Sequence, residues 1–338
     1  MSIGPISRRA ALGGLLTAGA FPAIAPAQPA AGTPIPVTIA NASGNLNATM
    51  QELMNQSRFL QEFGLQPTIL SIADGAKITA GIIGGEIDIT MMTGFAQVFP
   101  AVERGAGLKV LGGASLLPAL ALFTAKPEVR TLKDLEGRTV GSGSVGSLLH
   151  QLTVAAMLKQ GVDINKVRFI NIGDSASVFR AVAMGTVDAG ISDNAIIDRQ
   201  EELKVRLVEH GNLAVELPEY TYQGAYASDA AIARRRPALV RSLAAYAKLY
   251  RFVQRPEAKD AFMRAWNTLY PSAGDAGGLA IWGFVQRYRP FTPELVLSEE
   301  RLDYMQRLNM TLKTQTRLLP FAAVADMSLA REAVAMLG

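Results

Sequence analysis

"NIGDSASVFRAVAMGTVD", residues 171–188, decides the fold, because a close counterpart stands one hundred residues earlier as "SIADGAKITAGIIGGEID", residues 71–88. The two align without a gap. Ile72 meets Ile172, Asp74 meets Asp174, Ala76 meets Ala176 and Ile78 meets Val178, and Gly85, Ile87 and Asp88 meet Gly185, Val187 and Asp188. Each copy reads as a strand end, an Asp that caps a helix, an apolar helical face, a Gly stop and an Asp before a new strand. Two copies at so long a spacing predict two similar lobes, not a solenoid. Accidental likeness of two βαβ units is the alternative.

Working outward, "PVTIANA" (36–42) predicts a buried strand, followed by a polar turn, "SGNLNAT", and a helix from Thr49 to Phe63. A strand is expected over 67–72, a helix over 75–83 and a strand over 87–93. The second round repeats this as strand 138–142, helix 147–160, strand 167–172, helix 175–184 and strand 187–192. Such alternation predicts an α/β protein with mostly parallel sheets flanked by helices. Beyond Ala227 the pattern turns helical. In "PALVRSLAAYAKLYRFV" (237–253), Leu239, Val240, Leu243, Ala247 and Tyr250 fall on one helical stripe. Further helices are expected at 256–268, 275–287, 298–316 and 326–337.

The chain has 338 residues, is 49% hydrophobic and 18% charged, and contains no cysteine. That composition excludes disorder, and the missing thiols exclude disulfides, a thiolate zinc site, a thiol nucleophile and a lipid-acylated cysteine. The net charge of +4 is small. The cluster Arg234–Arg236, just before Pro237, reads as a solvated helix entrance, so no nucleic-acid partner is expected. "ISRRAALGGLLTAGAFPAIAPA" has an arginine pair, a weakly apolar run and an A-x-A-like end. It predicts a cleaved export signal over 1–27 and a soluble mature chain, without a lipid anchor, in the periplasm. The segment resembles a twin-arginine signal at Ser7, Arg8, Arg9 and Leu12, but has Ala11 where Phe is common and lacks the following Lys. A Sec signal is the alternative.

The blocks "TLKDLEGRTVGSGSVGSLLHQLTVAAMLKQGVD", "AMGTVDAGISD", "RRRPALVRSLAAYAKLY" and "LPFAAVADMSLAREAV" follow one another behind that leader. In this order they resemble the substrate-binding proteins of ABC importers, in the NMT1/THI5-like and SsuA/TauA-like group that serves nitrate, taurine, alkanesulfonates and thiamine-pyrimidine precursors. The resemblance implies a two-lobed periplasmic-binding-protein type II fold, with each lobe a mostly parallel sheet flanked by helices. Lobe 1 would be 35–121 plus 227–338, its C-terminal helices packed on it, and lobe 2 would be 127–217. Crossings would lie near 118–126 and 218–226. It further implies a non-enzymatic, monomeric receptor for a small organic anion or neutral polar solute, partnered by an ABC permease and its ATPase subunit, with no cofactor. A periplasmic sensing subunit and a fold-related enzyme remain alternatives, since one fold hosts many functions.

Ligands of open α/β sheets sit beyond the carboxyl ends of the strands. The loops expected there are 41–47, 93–97, 115–118, 142–147, 173–177 and 192–195, and they contain no Lys or Arg. The candidate ligand-binding residues are Asn41, Ser43, Thr93, Gly94, Phe95, Ser115, Ser142, Ser144, Gly146, Ser147, Asp174, Ser175, Asp193, Asn194 and Tyr222. "TVGSGSVGS" (139–147) looks like a phosphate loop but lacks its lysine, so backbone amides and serine hydroxyls would serve a carboxylate, sulfonate or carbonyl instead. The other reading is a tight strand-to-helix turn with a serine cap. Phe95 and Tyr222 are expected in the pocket wall, and Asp74 and Asp174 as helix caps. Asp193 reads either as a cap or as a cleft carboxylate that attracts an amine. His150 and His210 make no metal site, and no metal is expected.

Overall fold

A computed structural model describes residues 32–338. Strands β1 (Ile35–Ala42), β2 (Leu65–Ile72), β3 (Ile89–Thr93), β4 (Leu108–Gly113) and β10 (Gly224–Ser228) form one sheet in the order β2-β1-β3-β10-β4. Strands β5 (Leu120–Thr124), β6 (Thr139–Ser142), β7 (Arg168–Asn171), β8 (Ala189–Asp193) and β9 (Arg206–Asn212) form the other as β7-β6-β8-β5-β9. The two orders are the same once each lobe is counted from its own first parallel strand. β1 pairs in parallel with β2 and β3, as β6 does with β7 and β8. This is the two-lobed α/β fold that the repeat predicts. The expected export signal lies outside the described residues.

The stretches expected to pass between the lobes do more than cross. β5 runs antiparallel between β8 and β9, and β10 runs antiparallel between β3 and β4. The passages themselves are the segments 114–119 and 217–223. Each delivers a strand into the middle of a sheet, where the backbone donors and acceptors on both of its sides are paired.

The aspartates of the repeat explain why the halves match. Asp88 Oδ2 accepts the Thr38 N–H at 2.8 Å, and Asp188 Oδ2 accepts the Thr139 N–H at the same distance. Each thus locks the entry of its third strand to the first strand of its own lobe. Helices α1 (Asn45–Ser57) and α2 (Gly75–Gly84) follow β1 and β2, and α3 (Leu148–Lys159) and α4 (Ser175–Ala183) follow β6 and β7. α1 begins inside the stretch expected to be a turn. Gly44, at φ 137°, sets that start without offering a capping side chain.

The long helix α5 (Asp229–Val253) lays Leu239, Leu243, Tyr246, Ala247 and Tyr250 into the core of the first lobe. It starts eight residues earlier than its apolar stripe predicts. Pro237 removes an N–H donor two residues after a break at Arg235 (φ −128°), so the helix is kinked there. Then come α6 (Lys259–Leu269), α7 (Ala276–Tyr288), α8 (Glu299–Thr311) and α9 (Ser328–Ala335). α7 and α8 touch both lobes. Tyr288 Oη accepts from Asn212 Nδ2 at 2.9 Å, and Asn309 of α8 donates to the Ala96 carbonyl at 2.8 Å while accepting from Gln151 of α3. No described helix is long and apolar enough to cross a membrane.

Candidate functional site

The carboxyl ends of β1, β2, β6 and β7 each feed a helix, and the starts of all four helices border one cleft of about 1130 Å³. Three of those starts carry a side-chain cap. Asp74 Oδ1 accepts the Ala76 N–H at 2.8 Å, Asp174 Oδ1 accepts the Ser177 N–H at 2.7 Å, and Ser147 Oγ accepts the His150 N–H at 3.5 Å. α1 carries none. Its first-turn residues Asn45, Leu46 and Asn47 line the cleft, and their amides carry no side-chain cap at the positive end of the helix.

Of the residues singled out in the sequence, Ser43, Thr93, Gly94, Ser144, Gly146, Ser147, Asp174, Ser175, Asp193, Asn194 and Tyr222 line this cleft. Four do not, for a shared reason: their side chains are buried and occupied by the fold. Asn41 Oδ1 takes the Met91 and Met92 N–H groups, and its Nδ2 donates to Tyr246 Oη. Ser115 Oγ donates to the Leu117 carbonyl and Ser142 Oγ to the Gly143 carbonyl. Phe95 packs edge-on against Phe99, its centroid 5.8 Å away, instead of walling the pocket.

Cations do reach the cleft, contrary to the expectation drawn from its loops. Arg104, just past the helix Val98–Glu103, and Arg180, on the second turn of α4, line it as exposed rim residues. Arg180 donates to Ser177 Oγ at 2.7 Å. The loops themselves hold none. Two amides were not singled out in the sequence, although Gln97 ends the candidate loop 93–97. Gln97 and Gln223 line the cleft, and Gln97 Nε2 and Gln223 Oε1 are buried without a hydrogen-bond partner among the described residues. Gln97 Nε2 lies so close over Gly75 that a Cβ there would come within 2.6 Å of it. From the C-terminal region Ile281 and Phe284 add apolar wall, and Asn309 and Thr314 close one flank. Nothing local to the loops could have announced residues so distant in sequence.

The serine loop is a tight turn as well as a cleft wall. A Cβ on Gly143 would lie 2.4 Å from Ser147 Oγ, and Gly146 adopts φ 81°. Gly146 N–H donates to His150 Nδ1 at 3.3 Å, and the His150 ring stands edge-on to Phe169. Burial holds the His150 imidazole below its usual pKa, so it stays neutral while the unfolded chain takes up a proton below about pH 6.5. Stability is therefore expected to fall with pH through that window. His150→Gln keeps an acceptor without the titration, so the stability gap between variant and parent should narrow from pH 7.5 to pH 5 in denaturant melts. A gap independent of pH would remove His150 from the account.

Two carboxylates on the second lobe differ in kind. The Ser177 N–H, ahead of lesser contributions, holds the Asp174 carboxyl below its ordinary value. Burial, with Asp174 as a like-charged neighbour, pushes the Asp193 carboxyl up against an opposing bond from Ser175. Burial, then the charge of Asp193, pushes the Tyr222 hydroxyl well up, so it remains a donor. Among the described residues no cluster of His, Cys, Asp and Glu could hold a metal ion.

The family described as NMT1/THI5 like matches residues 53–259, more than half of the chain. The chain belongs to that family. The NMT1/THI5-like chain is similar in structure to the alkanesulfonate-binding protein SsuA of Xanthomonas axonopodis pv. citri, solved bound to MOPS. The TM-score is 0.69 at 17% identity, covering 86% of this chain and 98% of that one. It is also similar to the periplasmic aliphatic sulphonate binding protein SsuA of Escherichia coli, with TM-score 0.69 at 14% identity, covering 87% and 92%. The desulfurization enzyme DSZB follows with TM-score 0.59 at 14% identity, covering 90% and 100%. At such identities the likeness is one of fold. Among curated proteins none matches the chain in sequence.

Proposed function

We propose that this NMT1/THI5-like chain is a periplasmic solute receptor that holds a small organic anion or neutral polar molecule between its lobes and delivers it to an ABC importer. One observation carries the reading: the inter-lobe cleft is lined by polar groups whose bonding the protein leaves incomplete. Among the described residues Gln97 Nε2 and Gln223 Oε1 have no partner, and the α1 amides have no side-chain cap. A buried polar atom without a partner costs about 1–3 kcal/mol, which a bound solute would recover. Around these groups Ile281, Phe284 and Tyr222 offer a wall for an organic body. That mixture of apolar wall and few oriented polar groups is the usual make-up of a small-molecule site. The solved neighbours named for sulfonate binding support the same class.

In this reading the segments 114–119 and 217–223 form the hinge, and solute bridging the lobes favours the closed form. The closed surface would then meet a permease whose ATPase partner supplies the energy. Affinity near micromolar, about −8 kcal/mol, suffices for such a receptor. The chain itself would do no chemistry, and turnover of a bound solute would make it an enzyme instead.

A thermal-shift screen of taurine, alkanesulfonates, aromatic acids and pyrimidines tests this. A true ligand at a hundred times its Kd should stabilise the protein by about 2.7 kcal/mol. Gln223→Leu should weaken that ligand about tenfold while leaving the unliganded protein as stable or more so, because an unpaired buried atom is removed. Stabilisation by nucleotides or metals alone, or by nothing, would overturn the reading.

A further inference from the structure

We propose that Asp193 recognises a positively charged or N–H-bearing nitrogen on the solute, so that the cleft selects a bipolar molecule whose acceptor end meets α1 and whose nitrogen end meets β8. This rests on the receptor reading and narrows it to a ligand class. Asp193 ends β8, opposite Leu120 of β5, and its half-buried side chain lines the cleft. It stands in the N-cap position of the 3-10 turn Asn194–Arg199, yet its carboxylate makes no capping bond there. Among the described residues its one side-chain hydrogen bond comes from Ser175 Oγ, at 3.2 Å to Oδ1. Oδ2 has no hydrogen-bond partner among the described residues, and no lysine or arginine among them forms an ion pair with Asp193.

The groups around this carboxylate make the lack of a cation more telling. Asp174 repels it, Ser175 donates to it, and the hydroxyls of Tyr222 and Tyr270 lie within reach of its field. The rim cation Arg180 sits on the side of Asp174. Asp193 Oδ2 is open to the cleft, where a cation or strong donor on a solute can take it up in a charge-assisted hydrogen bond. Its raised pKa agrees with the placement.

The far end of the ligand is set by the start of α1, which lines the cleft beside Tyr270. Its hydroxyl donates to Asn45 Oδ1, at the start of α1, at 3.1 Å, and the same hydroxyl feels the charge of Asp193. The start of α1 and the unpaired carboxylate of Asp193 both line the cleft, so a small molecule lying across it can meet both. An anion without nitrogen would place its body against two carboxylates. A molecule with an ammonium, amidine or aminopyrimidine nitrogen would satisfy both ends.

Matched pairs that differ only in the nitrogen test this by titration calorimetry: 2-aminoethanesulfonate with ethanesulfonate, 3-aminopropanoate with propanoate, and 4-aminopyrimidine with pyrimidine. In at least one pair the nitrogen-bearing member should bind the native protein about tenfold or more tighter, the value of a hydrogen bond to a charged group. Asp193→Asn should bring that pair within about threefold, chiefly by weakening the amine. Asp193→Ser gives the same readout if the asparagine variant fails to fold. Equal binding within every pair, tighter binding of the members without nitrogen, or a preference that survives in both variants overturns the proposal while the receptor stands. Absence of binding by all six probes while an aromatic acid or longer alkanesulfonate binds also overturns it alone. Binding by no solute at all overturns the receptor with it.

Discussion

Asn41→Leu is expected to lower the unfolding free energy by about 4 kcal/mol, although leucine is the more hydrophobic residue. Asn41 lies near the end of β1 and is fully buried. Its Oδ1 accepts N–H groups from Met91 at 3.1 Å and Met92 at 2.8 Å, and its Nδ2 donates to Tyr246 Oη at 2.9 Å. One amide thus ties β1, β3 and α5 together. Leucine would leave three polar atoms without that partner where water does not reach, and each such atom costs about 1–3 kcal/mol. Its gain in apolar burial offsets only part. Urea or guanidinium melts measure the loss. A change below about 1 kcal/mol would mean that the neighbours find other partners and that the amide ties nothing. Because the side chain lies behind the cleft, ligand affinity of the folded fraction should not change.

Gly224→Ala should cost about 3 kcal/mol or more by a different route, crowding. Gly224 opens β10 and faces Thr93 of β3 on one side and Gly113 of β4 on the other. A Cβ there would stand 2.7 Å from the Gly112 carbonyl oxygen and 2.8 Å from Cε1 of Phe95. The ring could turn aside, but the carbonyl belongs to the neighbouring strand and cannot retreat without breaking the ladder. The cost therefore falls on the middle of the first sheet. Native-like melting of the alanine variant would show that β10 shifts freely, and with it that the sheet is softer than its pairing implies.

The parts of the fold that obey local rules were legible. Asp74 and Asp174 cap as the repeat suggested, and Gly85 ends its helix in the left-handed conformation that glycine favours. The start of α1 was not legible, because "SGNLNAT" is polar throughout and Gly44 marks a helix entrance with no side-chain signal. Nor could β5 and β10 be recognised as interior strands, since only pairing with distant segments places them there. The candidate site shows the same division. Serines and glycines at strand ends pointed to the cleft, whereas Asn41, Ser115 and Ser142, equally polar and equally near, spend their hydrogen bonds on the backbone. Residue type alone does not separate those two uses. Arg104, Arg180 and Asn309 were missed because the helices and the C-terminal region that carry them were not searched for site residues, and Gln97 was passed over although it ends the candidate loop 93–97.

The interior place of β10 also sets a timetable for assembly. The second lobe takes all five of its strands from one continuous run, 120–212, whereas the first must wait for a strand that emerges after that run is complete. Until then β3 and β4, its neighbours, stand without the strand that separates them, and unpaired sheet edges are where growing chains misassociate. The lobe that starts first is therefore the one that finishes last.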